Sequence, residues 1–171
     1  MIGYTVTWAA GPTYLTGPGD VLEISVWKDE SLSRSVVIPP DGIISFPLIG
    51  DVNANNVTVA ELRKTLITRL SEFLPDPTVT VTLTEINSLR AYVIGNVNKP
   101  GEFPITQNTT VTQLLSMANG LNPYASADRI SILRRESESA LRIPFNYKEI
   151  AKGKKLEQDI LLRRGDVVVV P

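Results

Sequence analysis

Two capping boxes set the limits on what this chain can become. In Thr58-Val-Ala-Glu61 and Thr110-Val-Thr-Gln113 a hydroxyl is placed to accept the amide three residues on, while Glu61 or Gln113 reaches back to the cap. Behind the first, Leu62, Leu66, Leu70 and Phe73 keep helical spacing until Pro75, which predicts a helix carrying all four inward. Behind the second, Val111, Leu114, Leu115 and Ala118 predict a shorter helix, closed by a left-handed Asn119-Gly120 cap. A third, short helix is expected over 146–152, capped by Asn146 with Glu149 at its third position and ended by Gly153.

Almost everything between these starts is strand-like. Thr78-Val-Thr-Val-Thr-Leu-Thr84 alternates strictly, with Val79, Val81 and Leu83 on one face. Residues 21–27, 89–97, 102–106, 130–135 and 141–145 also read as strands. Two apolar runs flank Pro39-Pro-Asp-Gly42 and predict a hairpin, with Gly42 at positive φ and Asp41 bonding nearby backbone. Gly165-Asp-Val-Val-Val-Val170 echoes Gly19-Asp-Val-Leu-Glu-Ile24, so each half contains a Gly-Asp strand opener and a capped helix. The expected fold class is α+β: two small units over 13–86 and 87–171, preceded by a ragged segment, 1–12.

Charge divides at the same place. There are 5 basic and 10 acidic residues through Ile86, and 12 basic and 8 acidic after it. The chain of 171 residues is 43% hydrophobic, enough for real cores, and contains neither cysteine nor histidine. Those absences exclude disulfides, thiolate or imidazole metal sites, Cys nucleophiles and Ser-His-Asp hydrolases. Carboxylate-pair chemistry and oxygen-only metal sites survive. No apolar run exceeds four residues, too short for a membrane-spanning helix, and MIGYTVTWAAG lacks the features of a signal peptide.

Tyr14…Gly17-Pro-Gly-Asp-Val-Leu…Val26-Trp27, Ile38-Pro-Pro-Asp-Gly-Ile-Ile-Ser-Phe-Pro-Leu-Ile-Gly50 and the Thr58 capping box together resemble the polysaccharide export domain. Gly95-Asn-Val-Asn-Lys-Pro-Gly-Glu-Phe103, Ala118-Asn-Gly-Leu121 and the 165–171 strand resemble the soluble-ligand-binding β-grasp domain that follows it. Departures are Thr16, where an aliphatic residue is common, Asn96 in place of Glu, and Asn119 in place of Gly. The resemblance to Gram-negative outer-membrane polysaccharide export proteins implies a periplasmic homo-oligomeric ring through which capsular or exopolysaccharide leaves. It also implies an inner-membrane polysaccharide co-polymerase as partner, and an outer-membrane lipid anchor on a cysteine that this sequence lacks. No cofactor, metal or catalytic residue is implied. The alternative is a monomeric carbohydrate-binding or scaffolding module that tethers the co-polymerase.

Asp20, Asp41, Asp51 and Asp166 all lie near glycine at turns, where Asp serves backbone amides; a hydrolytic pair among them is the less favoured reading. Gly17-Pro-Gly19 precedes a strand and lacks a following Lys-Ser/Thr, so it is no phosphate loop. The basic clusters lack interleaved aromatics and the pI is about 5.5, which argues against a nucleic-acid binder. The candidate polymer or partner contacts are Tyr14, a ring suited to a sugar face, Lys99 and Pro100 in a projecting turn, and Arg134 and Arg135. The two arginines are the basic side of an expected head-to-tail contact with the acidic unit of a neighbour. Trp27 is expected in the core, and Trp8 exposed in the N-terminal segment.

Overall fold

A computed structural model describes residues 13–136 and 139–171. The expectations for Trp8 and the segment 1–12 lie outside the described residues. The chain divides between Glu85 and Ile86 into two compact units, both α+β.

In the first unit, β1 (Val21–Val26) is the centre of an antiparallel sheet, flanked by β2 (Asp29–Val37) and β5 (Val79–Glu85). A separate hairpin joins β3 (Ile43–Phe46) to β4 (Gly50–Asn53). Between β4 and β5 runs α1 (Val59–Leu70), with both halves of its capping box formed. Leu22, Ile24 and Val26 point inward from β1, to a core shared with Leu62, Leu66 and Leu70 of α1 and with Val79 and Val81. Alternation on strands and a heptad-like stripe on the helix thus meet as their periods dictate.

Three expectations fail in this unit, each for a local reason. The runs on either side of Pro39-Pro40 do not pair with each other: β2 pairs with β1, and β3 with β4. Two successive prolines remove two amides and end one ladder before the next begins. The turn chemistry itself is present, since Gly42 donates to the Pro39 carbonyl at 2.9 Å and Asp41 accepts the Ile43 amide at 3.0 Å. Trp27 is 72% exposed rather than in the core. Inward alternation ends at Val26, and Trp27 falls on the opposite side in the two-residue turn with Lys28, whose φ is 63°. Phe73 is also exposed, because α1 ends at Leu70 and the Phe73 amide returns to the Leu70 carbonyl.

The second unit carries β6 (Arg90–Gly95), β7 (Gly101–Pro104), α2 (Val111–Met117), β8 (Ile130–Glu136), β9 (Ser139–Phe145), α3 (Tyr147–Ile150) and β10 (Val167–Val170). The strands form one sheet in the order β7-β6-β10-β8-β9, in which only the β6–β10 pair is parallel. Val111, Leu114 and Leu115 of α2, with Ala118, close one face over Ala91, Val93, Ile132, Val168 and Val170. The cap residues Asn119 and Gly120 have φ of 59° and 77°, and Asn146 caps α3. On the other face the register sets Tyr92, Val167, Leu133 and Arg142 in one row, and Ile94, Val169, Ser131 and Pro144 in the next.

Candidate functional site

The Gly-Asp pair is one device used twice. Gly19 and Gly165 have φ of 91° and 81°, a region open to glycine, which turns the chain into the central strand of each sheet. The following aspartate then accepts the amide three residues back: Gly17 to Asp20 at 2.9 Å, Arg163 to Asp166 at 2.8 Å. Each carboxylate is buried and also meets a side chain, the Tyr14 hydroxyl for Asp20 and the Arg134 guanidinium for Asp166. Both are thus engaged in holding turns. Asp41 holds its own turn, and Asp51 is exposed on β4.

This settles where two of the candidate contacts lie. Tyr14 is half-buried with its hydroxyl donated to Asp20, so its polar end is engaged within the first unit. Arg134 is only 8% exposed. It grips Asp166 in a bidentate fork, Nε to Oδ1 at 3.0 Å and Nη2 to Oδ2 at 2.7 Å, and also donates to the Leu161 carbonyl at 3.0 Å. The Asp166 hydrogen bond raises the affinity of this guanidinium for its proton still further. Arg134 is therefore spent inside its own unit, a correction to the expectation of a surface contact. A signal was there to be read: Ile130, Ile132 and Arg134 share one face by simple alternation. Arg135, one residue on, is exposed and makes no ion pair among the described residues.

Lys99 and Pro100 project from a turn that is firmly seated. The Asn98 amide donates to the Gly120 carbonyl at 3.1 Å, the Lys99 amide to Ala118 at 2.9 Å, and Asn98 Nδ2 to the Asn119 carbonyl at 2.7 Å. The turn is thereby tied to the exposed carbonyls at the end of α2. Lys99 Nζ lies 6.0 Å from the Phe103 ring centre, leaving its charge exposed. Sequence reasoning missed one further feature. An open groove of about 390 Å³ lies at the β8–β9 edge of the second unit, lined by Asp128, Arg129, Ile130, Ser131, Arg142 and Pro144. Among the described residues no cluster of three or more carboxylates that would hold a metal is found.

Comparison with known proteins accounts for this two-part design. Residues 9–84 match the family described as polysaccharide biosynthesis/export protein, and residues 89–170 match the SLBB domain. The chain joins a polysaccharide export domain to an SLBB domain. It is 28% identical to the EPS I polysaccharide export outer membrane protein EpsA of Ralstonia nicotianae, over 95% of this chain and 48% of that protein. It is 25% identical to the exopolysaccharide production protein ExoF of Rhizobium meliloti, over 82% of this chain and 34% of that one. With the polysialic acid transport protein KpsD of Escherichia coli the identity is 24%, over 66% and 20%. The chain thus spans about half the length of EpsA, and less of the others.

The export domain and the SLBB domain absorb their unusual residues by identifiable means. Thr16 is fully buried, and its hydroxyl lies 2.6 Å from the Ala54 carbonyl and 2.8 Å from that of Val57, so the polar atom is satisfied. Asn119 takes the left-handed conformation that Gly would supply there. Asn96 instead bonds Asn122, side chain to side chain at 3.3 Å.

Proposed function

We propose that this chain is part of a non-catalytic, periplasmic component of capsular or exopolysaccharide export, associated with the outer membrane of a Gram-negative bacterium. The observation that carries the reading is the pairing of an export domain with an SLBB domain, in that order, over about nine-tenths of the chain. The names of the relatives support it: an outer-membrane export protein, an exopolysaccharide production protein and a transport protein. The non-catalytic part is supported by Asp20 and Asp166, the two buried turn carboxylates, both being engaged in structure.

In this reading subunits assemble as a ring around a water-filled path, and an inner-membrane polysaccharide co-polymerase supplies the polymer. A conduit works through weak, distributed polar contacts, because a tight site would stall the chain. Opposite net charges on the two units favour a head-to-tail contact between copies, which closes into a ring when its rotation allows. Exposed Arg135, Lys99 and Pro100 are the contacts proposed for partner or polymer.

Deletion in the native host, followed by measurement of where polysaccharide accumulates, tests the role. Polymer retained inside the envelope is expected; normal polymer outside the cell refutes export. Native mass spectrometry of the full-length lipidated protein tests the ring, and a strictly monomeric species counts against it.

A further inference from the structure

We propose that the groove at the β8–β9 edge of the second unit binds a carboxylate-bearing sugar residue of the exported polymer. This names a substrate class and rests on the export reading above. Three features of the groove converge on that ligand. Ser131 lines the groove, and its hydroxyl has no hydrogen-bond partner among the described residues yet keeps access to solvent. That hydroxyl is free to meet a sugar hydroxyl as donor or acceptor. Beside it Pro144, paired across the β8–β9 ladder, gives an apolar surface of the kind a pyranose ring face rests on.

The third feature is charge. Arg129 and Arg142 line the same groove. The Arg142 side chain is exposed and makes no ion pair or hydrogen bond among the described residues, and Arg129 spends one nitrogen on Ser126 Oγ at 3.0 Å. Asp128 is the one acidic lining residue, and Lys148 pairs with it at 3.3 Å. The net field therefore favours an anion, and the planar guanidinium of Arg142 matches a carboxylate. The groove is open and its arginines are solvated, so binding is weak and reversible, as passage of a polymer requires.

The test is an NMR titration of the full chain with a short oligoglucuronate and with its carboxyl-reduced, neutral counterpart. Saturable amide shifts at 128–131 and 142–144 are expected with the acidic oligomer and not with the neutral one. Arg142→Gln weakens binding by roughly tenfold and Ser131→Ala by a few-fold, with the folded circular dichroism spectrum retained. Equal binding of the neutral oligomer, or undiminished binding by Arg142→Gln, overturns the proposal. So does equal binding of oligoglutamate, which makes this an acidic-peptide site. Complementation of the deletion host separates the two levels. If the unaltered protein does not restore export, the export reading fails; if it does and the groove binds nothing, only this inference fails.

Discussion

Residues in this protein earn their place by what they satisfy, and two of them make opposite predictions. Arg134 and Asp166 form a buried, charge-assisted pair within the second unit. Arg134→Leu leaves the Asp166 carboxylate buried without its cation, and is expected to cost about 3–5 kcal/mol. Urea unfolding followed by circular dichroism measures it. Replacing both partners, Arg134→Met with Asp166→Asn, is expected to recover most of the loss, and no recovery would show that the fork itself is the stabilising element. Thr112 is the converse case. Its hydroxyl is buried without a partner among the described residues, so Thr112→Val keeps the shape and removes the penalty. A gain of up to about 1 kcal/mol is expected in the same assay.

Elements succeed or fail on local chemistry, which also decides how far they were legible beforehand. Both capping boxes were readable because every atom involved lies within four residues. The β2–β3 hairpin was misread because strand pairing is decided by distant partners: β2 pairs with β1, and β3 with the short β4, whose Gly-Asp-Val-Asn has a single apolar residue to announce it. The groove was illegible for a similar reason, since only the β8–β9 register brings Ser131 beside Pro144. Gly95 shows how tight such a pairing is. With φ at +97°, an added Cβ would sit 2.0 Å from the Val170 carbonyl oxygen. Gly95→Ala is expected to separate β6 from β10 and cost about 2–4 kcal/mol, read by loss of amide protection on Val168 and Val170. At the other helix, hydrogen bonds from the Thr58 amide, and then its hydroxyl, hold the Glu61 carboxyl below its ordinary value of 4.5. A depressed carboxyl stabilises the fold above its unfolded pKa, and that contribution goes as pH falls through the folded value. Glu61→Gln is therefore less stable at neutral pH, and its deficit shrinks as pH drops below 4.5. Unfolding curves across that window measure the closing gap.

At the scale of the molecule, each half contains its own Gly-Asp opener, capped helix and core. What composition misplaced was the charge within a half. Arg134 was counted among surface cations, yet alternation along β8 turns it inward and leaves Arg135 outside. The surface basic character of the second unit therefore rests on side chains such as Lys99, Arg129, Arg135, Arg142, Lys154 and Lys155, none of which makes an ion pair among the described residues. If opposed charges draw copies together, Arg135→Glu weakens assembly at low salt and does little at high salt, where screening already removes the attraction. Sedimentation of the full-length protein at both salt concentrations checks it, and an unchanged distribution removes charge from the account of assembly.

The parallel pair at the heart of the second unit also sets a clock. Tyr92 meets Val167, a partner about 75 residues further along the chain, and without β10 the strands β6 and β8 have no common neighbour. Closure of so long a loop comes late and makes folding slow relative to a helical domain of equal size. During synthesis the first unit has all its strands in hand long before the second does. Until Val167–Val170 emerge, the second unit waits with two open strand edges on β6 and β8, the stretch of synthesis in which it is most open to mispairing.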